Sequence, residues 1–247
     1  MRNLQPGARL AGYRIESIER DDGAASVLRA QDPVEGRTVA LYVAAEPPGA
    51  VAAVRFLERA QRLRGVVHPH VLPVYEARTA GGCALAIAEA PPGRRLDLLL
   101  RDGPLTPERA TRIAGQVAEA VQALEGAGAE LPPVTPERVW ISAEHAYLDP
   151  LDGRSILART DRPPSSPAAV ASLLAAMLRG EEPPQPLLEI VARAADGAYF
   201  SVGQVAEALR RLETGTADRA RRRRRAALAV VLIATLVLAA IIVLSIV

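Results

Sequence analysis

The sequence contains no lysine, a single asparagine and a single cysteine among its 247 residues. All thirty basic side chains are therefore arginines, and Asn3 is the only asparagine. The lone Cys83 excludes an internal disulfide framework and is typical of proteins in a reducing cytoplasm. The first sixteen residues contain no apolar run, so they lack the pattern of a secretory signal peptide. Any chemistry that requires a lysine amine or a disulfide scaffold is thus excluded.

The formal net charge of +2 conceals an uneven distribution of charge. Six arginines lie close together near the C-terminus: Arg219, Arg221, Arg222, Arg223, Arg224 and Arg225. Without them, 24 arginines face 28 acidic residues, which leaves a net charge of −4. Because a protein that neutralises nucleic-acid phosphates needs a basic face, we expect no nucleic-acid partner for the globular part.

Residues 226–247 form one uninterrupted apolar run of 22 residues. A helix of this length measures about 33 Å, close to the roughly 30 Å hydrocarbon thickness of a bilayer. Its only hydrogen-bonding side chains, Thr235 and Ser245, can bond back to their own helix. The run therefore predicts a transmembrane helix, although a buried core helix and a nucleic-acid role for the preceding arginines remain alternatives.

The arginine cluster before this run predicts the orientation of the chain in the membrane. An excess of positive charge marks the cytoplasmic side, so we expect residues 1–218 in the cytoplasm and the C-terminus at or just beyond the outer face. Each arginine near an anionic leaflet contributes about 1 kcal/mol, which favours contact with anionic lipid headgroups. Thr235 and Ala239 have the spacing of a close helix contact, which would allow a weak homodimer through the membrane helix.

The first half of the chain predicts five strands and one helix. The predicted strands are residues 13–18, 25–30, 38–44, 71–77 and 83–89, and the predicted helix is 50–65. The run 38–44 is continuously apolar and β-rich, as is typical of a buried strand.

The second half predicts mainly helices. Thr106 followed by Pro107 is a typical helix start, and apolar residues then recur every three to four positions until Gly126. Residues 139–141 and 146–148 predict a short hairpin, 163–167 a loop, and 168–178, 186–195 and 202–212 three further helices. Trp140 is interpreted as a core residue.

This order of elements, together with several short motifs, resembles the bacterial membrane-associated serine/threonine protein kinase family over residues 10–213. The motifs that carry the resemblance are Arg29-Ala30-Gln31-Asp32, Val39-Ala40-Leu41, His68-Pro69-His70-Val71, Pro73-Val74-Tyr75, Gly103-Pro104-Leu105 and Leu178-Arg179-Gly180, together with Val134, Pro136 and Ile141. The resemblance implies an α+β, protein-kinase-like fold of two lobes: a five-stranded N-lobe with one helix (10–90) and a reduced, mainly helical C-lobe (91–214). An N-terminal extension (1–9), an arginine-rich juxtamembrane linker (215–225) and the transmembrane helix (226–247) complete the expected organisation.

The resemblance also implies a nucleotide site, from which this sequence departs at its N-lobe positions. The three glycines that let backbone N–H groups approach the phosphates align with Arg20, Asp22 and Ala25. The lysine that pairs with the phosphates aligns with Tyr42, and its glutamate partner aligns with Arg59, next to Glu58. Since the chain has no lysine, no other strand can supply one.

The implied catalytic loop departs from the family pattern in the same way. The aspartate that accepts the substrate proton aligns with Pro133, and the metal-binding asparagine aligns with Arg138. Only Asp149 matches a functional residue, the metal-binding aspartate, and a single carboxylate holds Mg²⁺ weakly. We therefore expect no catalytic residue, no cofactor and no metal site; His68 and His70 are interpreted as structural.

These departures predict a catalytically inactive kinase-like domain, a pseudokinase. Held at the cytoplasmic face of the cell membrane, it would act in signalling as a scaffold or regulator that binds a cytoplasmic or membrane protein. One alternative is a weak ATP-binding protein or residual serine/threonine kinase that uses Asp149. Another is a membrane-helix adaptor in which the soluble domain is secondary.

Overall fold

An antiparallel sheet of six strands, in the order β1-β2-β3-β4-β6-β5, forms most of the first lobe. The strands are β1 (Arg9–Leu10), β2 (Tyr13–Asp21), β3 (Ala25–Gln31), β4 (Thr38–Ala44), β5 (Val74–Ala80) and β6 (Cys83–Glu89). The computed structural model describes residues 4–21, 23, 25–129, 133–151 and 166–215. All five predicted strands are present, although the one predicted at 71–77 begins and ends three residues later, as β5. The expected number was wrong because β1 is too short to show a periodic pattern.

Both faces of the sheet are buried, as the continuous apolar run of β4 indicated. Val39, Leu41 and Val43 belong to a cluster on one face of the sheet. Tyr42 points to the opposite face, into the larger core that extends through the second lobe. Because successive side chains of a strand alternate between faces, one strand supplies both cores.

Helix α1 (Val51–Leu63) packs against β5 and β6. It buries Ala53, Phe56, Ala60 and Leu63, which recur at helical spacing. The predicted helix, 50–65, is thus confirmed to within two residues at each end.

The second lobe consists of helices and a small three-stranded sheet, β7-β8-β9. Its elements are β7 (Arg94–Arg95), α2 (Leu96–Leu100), α3 (Pro107–Gly126), a 3-10 turn (Pro136–Arg138), β8 (Val139–Ser142), β9 (His145–Leu148), α4 (Ser166–Met177), α5 (Gln185–Ala195) and α6 (202–215). The predicted hairpin and helices are confirmed, whereas β7 and α2 were not predicted.

Prolines lie in the first turn of three helices in this lobe, α3, α4 and α5. Thr106 caps α3, where its hydroxyl accepts a hydrogen bond from the Arg109 N–H at 3.4 Å. The predicted loop 163–167 was wrong at its end, because Ser166 and Pro167 belong to α4. Proline is tolerated in the first turn of a helix, where its missing N–H would have no helical partner. Residues 163–165 lie outside the described residues.

The two lobes are joined by hydrogen bonds between the segment before β5 and strand β9. The Leu148 N–H donates to the His70 carbonyl at 2.8 Å, and the Leu72 N–H donates to the Leu148 carbonyl at 3.0 Å. The His70 ring also contacts the Ala146 carbonyl, at 2.9 Å from Nδ1. These bonds fix the end of β9, and with it Asp149, beside the first lobe.

None of the helices among the described residues is long and apolar enough to cross a membrane. The transmembrane helix predicted for 226–247, and the arginines from Arg219 to Arg225, lie outside the described residues.

Candidate functional site

A cavity of about 280 Å³ lies between the sheet of the first lobe and the start of the second lobe. Its apolar walls include Val27 and Ala40 from the sheet, and Leu98 and Trp140 from the second lobe. Charged residues line the remainder: Glu19, Arg20, Arg29, Arg94, Arg95, Glu137 and Asp149. The cavity therefore combines apolar surface with charges of both signs.

Tyr42 lines this cavity and forms a hydrogen bond to the second lobe. Its hydroxyl donates to Oδ2 of Asp149 at 2.8 Å, and the side chain is almost fully buried. Tyr42 pairs across the sheet with Ala86, whose small side chain leaves room for the ring. The position that the resemblance assigns to a phosphate-binding lysine thus carries a neutral group already bonded within the protein.

Asp149 is buried, and both of its carboxylate oxygens are occupied. Oδ2 accepts from Tyr42, and Oδ1 accepts from the Leu151 N–H at 2.9 Å. Burial raises the pKa of Asp149 to about 6, although the Arg138 charge and the Tyr42 hydroxyl act in the opposite direction. Burial, together with the Asp149 charge, also raises the pKa of Tyr42 well above its usual value, so the phenol remains the donor.

Arg138 is buried directly beside Asp149, with 2% of its surface exposed. Nη1 donates to the Pro133 carbonyl at 2.9 Å, and Nη2 donates to the Asp149 carbonyl at 2.5 Å. A backbone bond of 2.8 Å from the Asp149 N–H to the Arg138 carbonyl fixes the two residues together. The position assigned to a metal-binding asparagine is therefore occupied by a cation that organises the backbone.

Two further arginines from the first lobe approach the same cluster. Nη2 of Arg59 on α1 donates to the Pro150 carbonyl at 3.2 Å, whereas the adjacent Glu58 is exposed. Arg20 on β2 lines the cavity, and its charge lowers the pKa values of both Tyr42 and Asp149. Arg59 is thus the helix residue that reaches the second lobe at this point.

The structure brings most of the residues singled out from the sequence together. Arg20, Tyr42, Arg59, Pro133, Arg138 and Asp149 lie around one buried cluster. Ala25 is instead buried within the sheet, where it pairs with Ala44, and Asp22 lies outside the described residues.

Several residues of the cavity were not anticipated from the sequence. Trp140, interpreted as a core residue, is only half-buried and lines the cavity. Arg95 forms a bidentate pair with Asp97, with distances of 2.7 and 2.8 Å. The Pro91-Pro92-Gly93 break could have indicated Arg95, because residues that follow a connection between lobes often line the cleft, but no such signal precedes Trp140.

This arrangement restricts the chemistry available at the cavity. Among the residues that line it, the carboxylates are Glu19, Glu137 and Asp149. A metal ion at Asp149 would have to bind oxygens that already accept hydrogen bonds from the Tyr42 hydroxyl and the Leu151 N–H, and the charge of Arg138 would repel it. The geometry thus favours a closed internal network over a metal–phosphate site.

The raised pKa of Asp149 predicts an unusual pH dependence of stability. Because the folded state binds this proton more tightly than the unfolded state, stability from this group is lost as pH rises from about 4 to about 6. One pKa unit corresponds to about 1.4 kcal/mol, so the ionised form costs on the order of 2 to 3 kcal/mol. In denaturant titrations, the unfolding free energy of Asp149→Asn relative to that of the wild type should therefore rise by roughly 2 kcal/mol between pH 4.5 and pH 7.5. A difference between the two proteins that does not change with pH would contradict the burial of this carboxylate.

Comparison with known proteins relates the chain to bacterial kinases. It is 32% identical over 146 residues to the serine/threonine-protein kinase PknE of Mycobacterium tuberculosis, an alignment covering 58% of this chain and 26% of PknE. It is 29% identical over 148 residues to PknD of the same species, covering 58% of this chain and 22% of PknD. The chain thus spans about a quarter of the length of these curated relatives. No family model matches it.

Solved structures give the same fold. The kinase domain of M. tuberculosis PknI superposes with a TM-score of 0.69 at 18% sequence identity, covering 86% of this chain and all of that domain. The expected α+β, protein-kinase-like fold is therefore confirmed, and 146 residues of the chain are similar in sequence to a bacterial serine/threonine-protein kinase.

Proposed function

We propose that this kinase-like domain, homologous to bacterial serine/threonine kinases, transfers no phosphate and instead binds and positions a protein partner at the cytoplasmic face of the membrane. The hydrogen bond between Tyr42 and Asp149 carries the proposal. Phosphoryl transfer depends on a positive charge at the phosphates and on a carboxylate that is available to Mg²⁺. Here the first position is a neutral phenol, and the second is a carboxylate engaged by that phenol.

The remaining substitutions act in the same direction. Pro133 cannot accept a proton from a substrate hydroxyl, and Arg138 cannot coordinate a metal cation. Electrostatic groups of this kind typically contribute on the order of 10²-fold or more each to the rate. Because such groups act as a unit, we expect their combined replacement to leave no appreciable phosphoryl transfer.

A second candidate function is weak nucleotide binding without transfer. The cavity itself favours it, because about 280 Å³ of space with apolar walls remains beside the connection between the lobes. This volume is near the lower end of small-molecule sites, which start at about 300 Å³. A purine nucleotide could bind there only if its phosphates tolerated the nearby carboxylate of Asp149.

Incubation with labelled ATP and Mg²⁺ or Mn²⁺ tests the loss of catalysis. We expect no incorporation of phosphate above that of Asp149→Asn, a control that reveals contaminating kinases. A parallel thermal-shift titration with nucleotide separates the two candidates, since stabilisation without transfer would favour weak binding. Robust transfer that Asp149→Asn abolishes would overturn the proposal.

The proposed partner and membrane location are tested by affinity capture from membranes. The full chain is compared with a truncation that lacks residues 219–247. We expect the truncated chain to leave the membrane fraction but to capture the same proteins, since the binding surface would lie on the kinase-like domain. If capture is lost with the apolar segment, the alternative of a membrane-helix adaptor is favoured instead.

A further inference from the structure

One face of the second lobe is built from α5, the turn 196–201 and α6, and is named here the α5–α6 face. It contains an open groove of about 700 Å³, which is lined in part by Ile190, Tyr199 and Leu212. Phe200 projects from the turn with 95% of its surface exposed. The other phenylalanine of the chain, Phe56, is buried. An exposed phenylalanine beside a partly apolar groove is typical of a contact surface.

Arginines lie at the edges of this apolar surface. The guanidinium of Arg193 lies over the Tyr199 ring, 5.0 Å from its centroid. Arg211 lines the groove with its side chain 79% exposed, and its Nε donates a hydrogen bond of 2.7 Å to Oε1 of Glu207. Long cationic side chains that flank apolar groups suit a surface that is apolar in its interior and anionic at its boundary.

The chain itself connects this face to the proposed membrane anchor. Helix α6, which forms one wall of the groove, is described to Gly215, and the arginine cluster begins at Arg219. The ten residues 216–225 that precede the apolar run can span at most about 35 Å when fully extended. An anchor at 226–247 would therefore hold the C-terminal end of α6 within that distance of the bilayer.

We propose that the α5–α6 face docks onto an anionic bilayer, with Phe200 inserted at the level of the headgroups and Arg193 and Arg211 facing lipid phosphates. This inference rests on the membrane tether of the proposed function. A lipid surface is favoured over a protein partner because the tether makes it the surface encountered at the highest effective concentration. The charged residues that line the groove are two arginines, Arg193 and Arg211, and one glutamate, Glu207, which leaves an excess of one positive charge toward anionic headgroups.

Site-directed spin labelling of the full chain in liposomes tests this docking. A nitroxide is attached at Phe200→Cys in a Cys83→Ala background, and the chain is incorporated into vesicles of phosphatidylglycerol and phosphatidylcholine. We expect the label at position 200 to be several-fold less accessible to a water-soluble nickel chelate, and more accessible to oxygen, than a label on a surface that remains in water. Phosphatidylcholine vesicles should give a smaller change, because they lack the anionic headgroups that attract the arginines.

Val34→Cys in the same background is the matched control. Val34 is 89% exposed in the turn between β3 and β4 of the first lobe, and its label should remain in water. Adding Arg193→Gln and Arg211→Gln should reduce the protection of the label at position 200. Thermal unfolding of each labelled chain verifies that it is folded.

The possible failures are distinguishable. If the full chain does not float with the vesicles, the tether is absent, and both the tether and the docking are overturned. If the chain floats but the labels at positions 200 and 34 remain equally accessible to the chelate, the docking is overturned while the tether stands. The second result would leave the α5–α6 face to a protein partner.

Discussion

Gly93→Ala is expected to destabilise the domain by about 3 kcal/mol or more, measured as the loss of unfolding free energy in denaturant. Gly93 lies at the connection between the lobes with a φ of +73°, in the left-handed region that costs an alanine about 1 to 2 kcal/mol. A Cβ at this position would lie 2.1 Å from the Ile141 carbonyl oxygen and 2.9 Å from the Ser142 Cα. Both atoms belong to the backbone of β8, so relief of the clash requires β7 and β8 to separate.

Gly82→Ala is the matched control for this effect. Gly82 has nearly the same φ, +70°, but an added Cβ would meet no atom within 4 Å. Its replacement should therefore cost only the conformational part, about 1 to 2 kcal/mol. Equal losses in the two variants would contradict a close approach between Gly93 and β8. Because Gly93 also lines the cavity, its variant should bind any cavity ligand more weakly, whereas Gly82→Ala should not.

Arg138→Ala is expected to lower the unfolding free energy by about 3 to 5 kcal/mol at neutral pH. The substitution removes the donors of two carbonyls, those of Pro133 and Asp149, and leaves a void at a site with 2% exposure. It also removes the cation that stabilises ionised Asp149, so the pKa of that carboxyl should rise further above 6. Hydrogen bonds, packing and charge thus all contribute to the expected loss.

The pH dependence of this variant provides an internal check. At pH 5 Asp149 is largely protonated, so the loss in Arg138→Ala should be smaller than at pH 8, where the carboxylate is left without its cation. Arg210→Ala is a suitable control, because Arg210 is 53% exposed and its ion pairs with Glu119 and Glu207 are screened by solvent, so their loss should change the unfolding free energy little. A loss in Arg138→Ala no larger than in this control, and equal at both pH values, would rule out a structural role for the buried guanidinium.

Most of the secondary structure was predictable from the sequence because it depends on local periodicity and on capping residues. Strand β4 and helix α3 show this, since a continuous β-rich run and a threonine cap followed by proline define their limits. The elements that escaped prediction, β1, β7 and α2, have two to five residues. Short elements like these are stabilised by what they pair with, and β7 forms only because β8 lies beside it.

The candidate site was predictable as a set of positions but not as a set of contacts. The alignment with the resembling family identified Tyr42, Arg138 and Asp149 as replacements or remnants of functional residues. It did not indicate that the replacements bond to the remnant, nor that Trp140 leaves the core to line the cavity. These facts depend on side-chain directions across two lobes, which no local pattern encodes.

What the sequence determined by itself is the chemistry that is absent. A chain without lysine has no amine to pair with phosphates, whatever its fold, because composition does not depend on conformation. Only the tertiary structure decided what replaced that chemistry. Tyr42 and Asp149 are 107 residues apart, and their hydrogen bond exists because the bonds between the His70 segment and β9 bring the two lobes together. Burial at that contact then makes the network internal, since charged and polar groups removed from water must find partners within the protein.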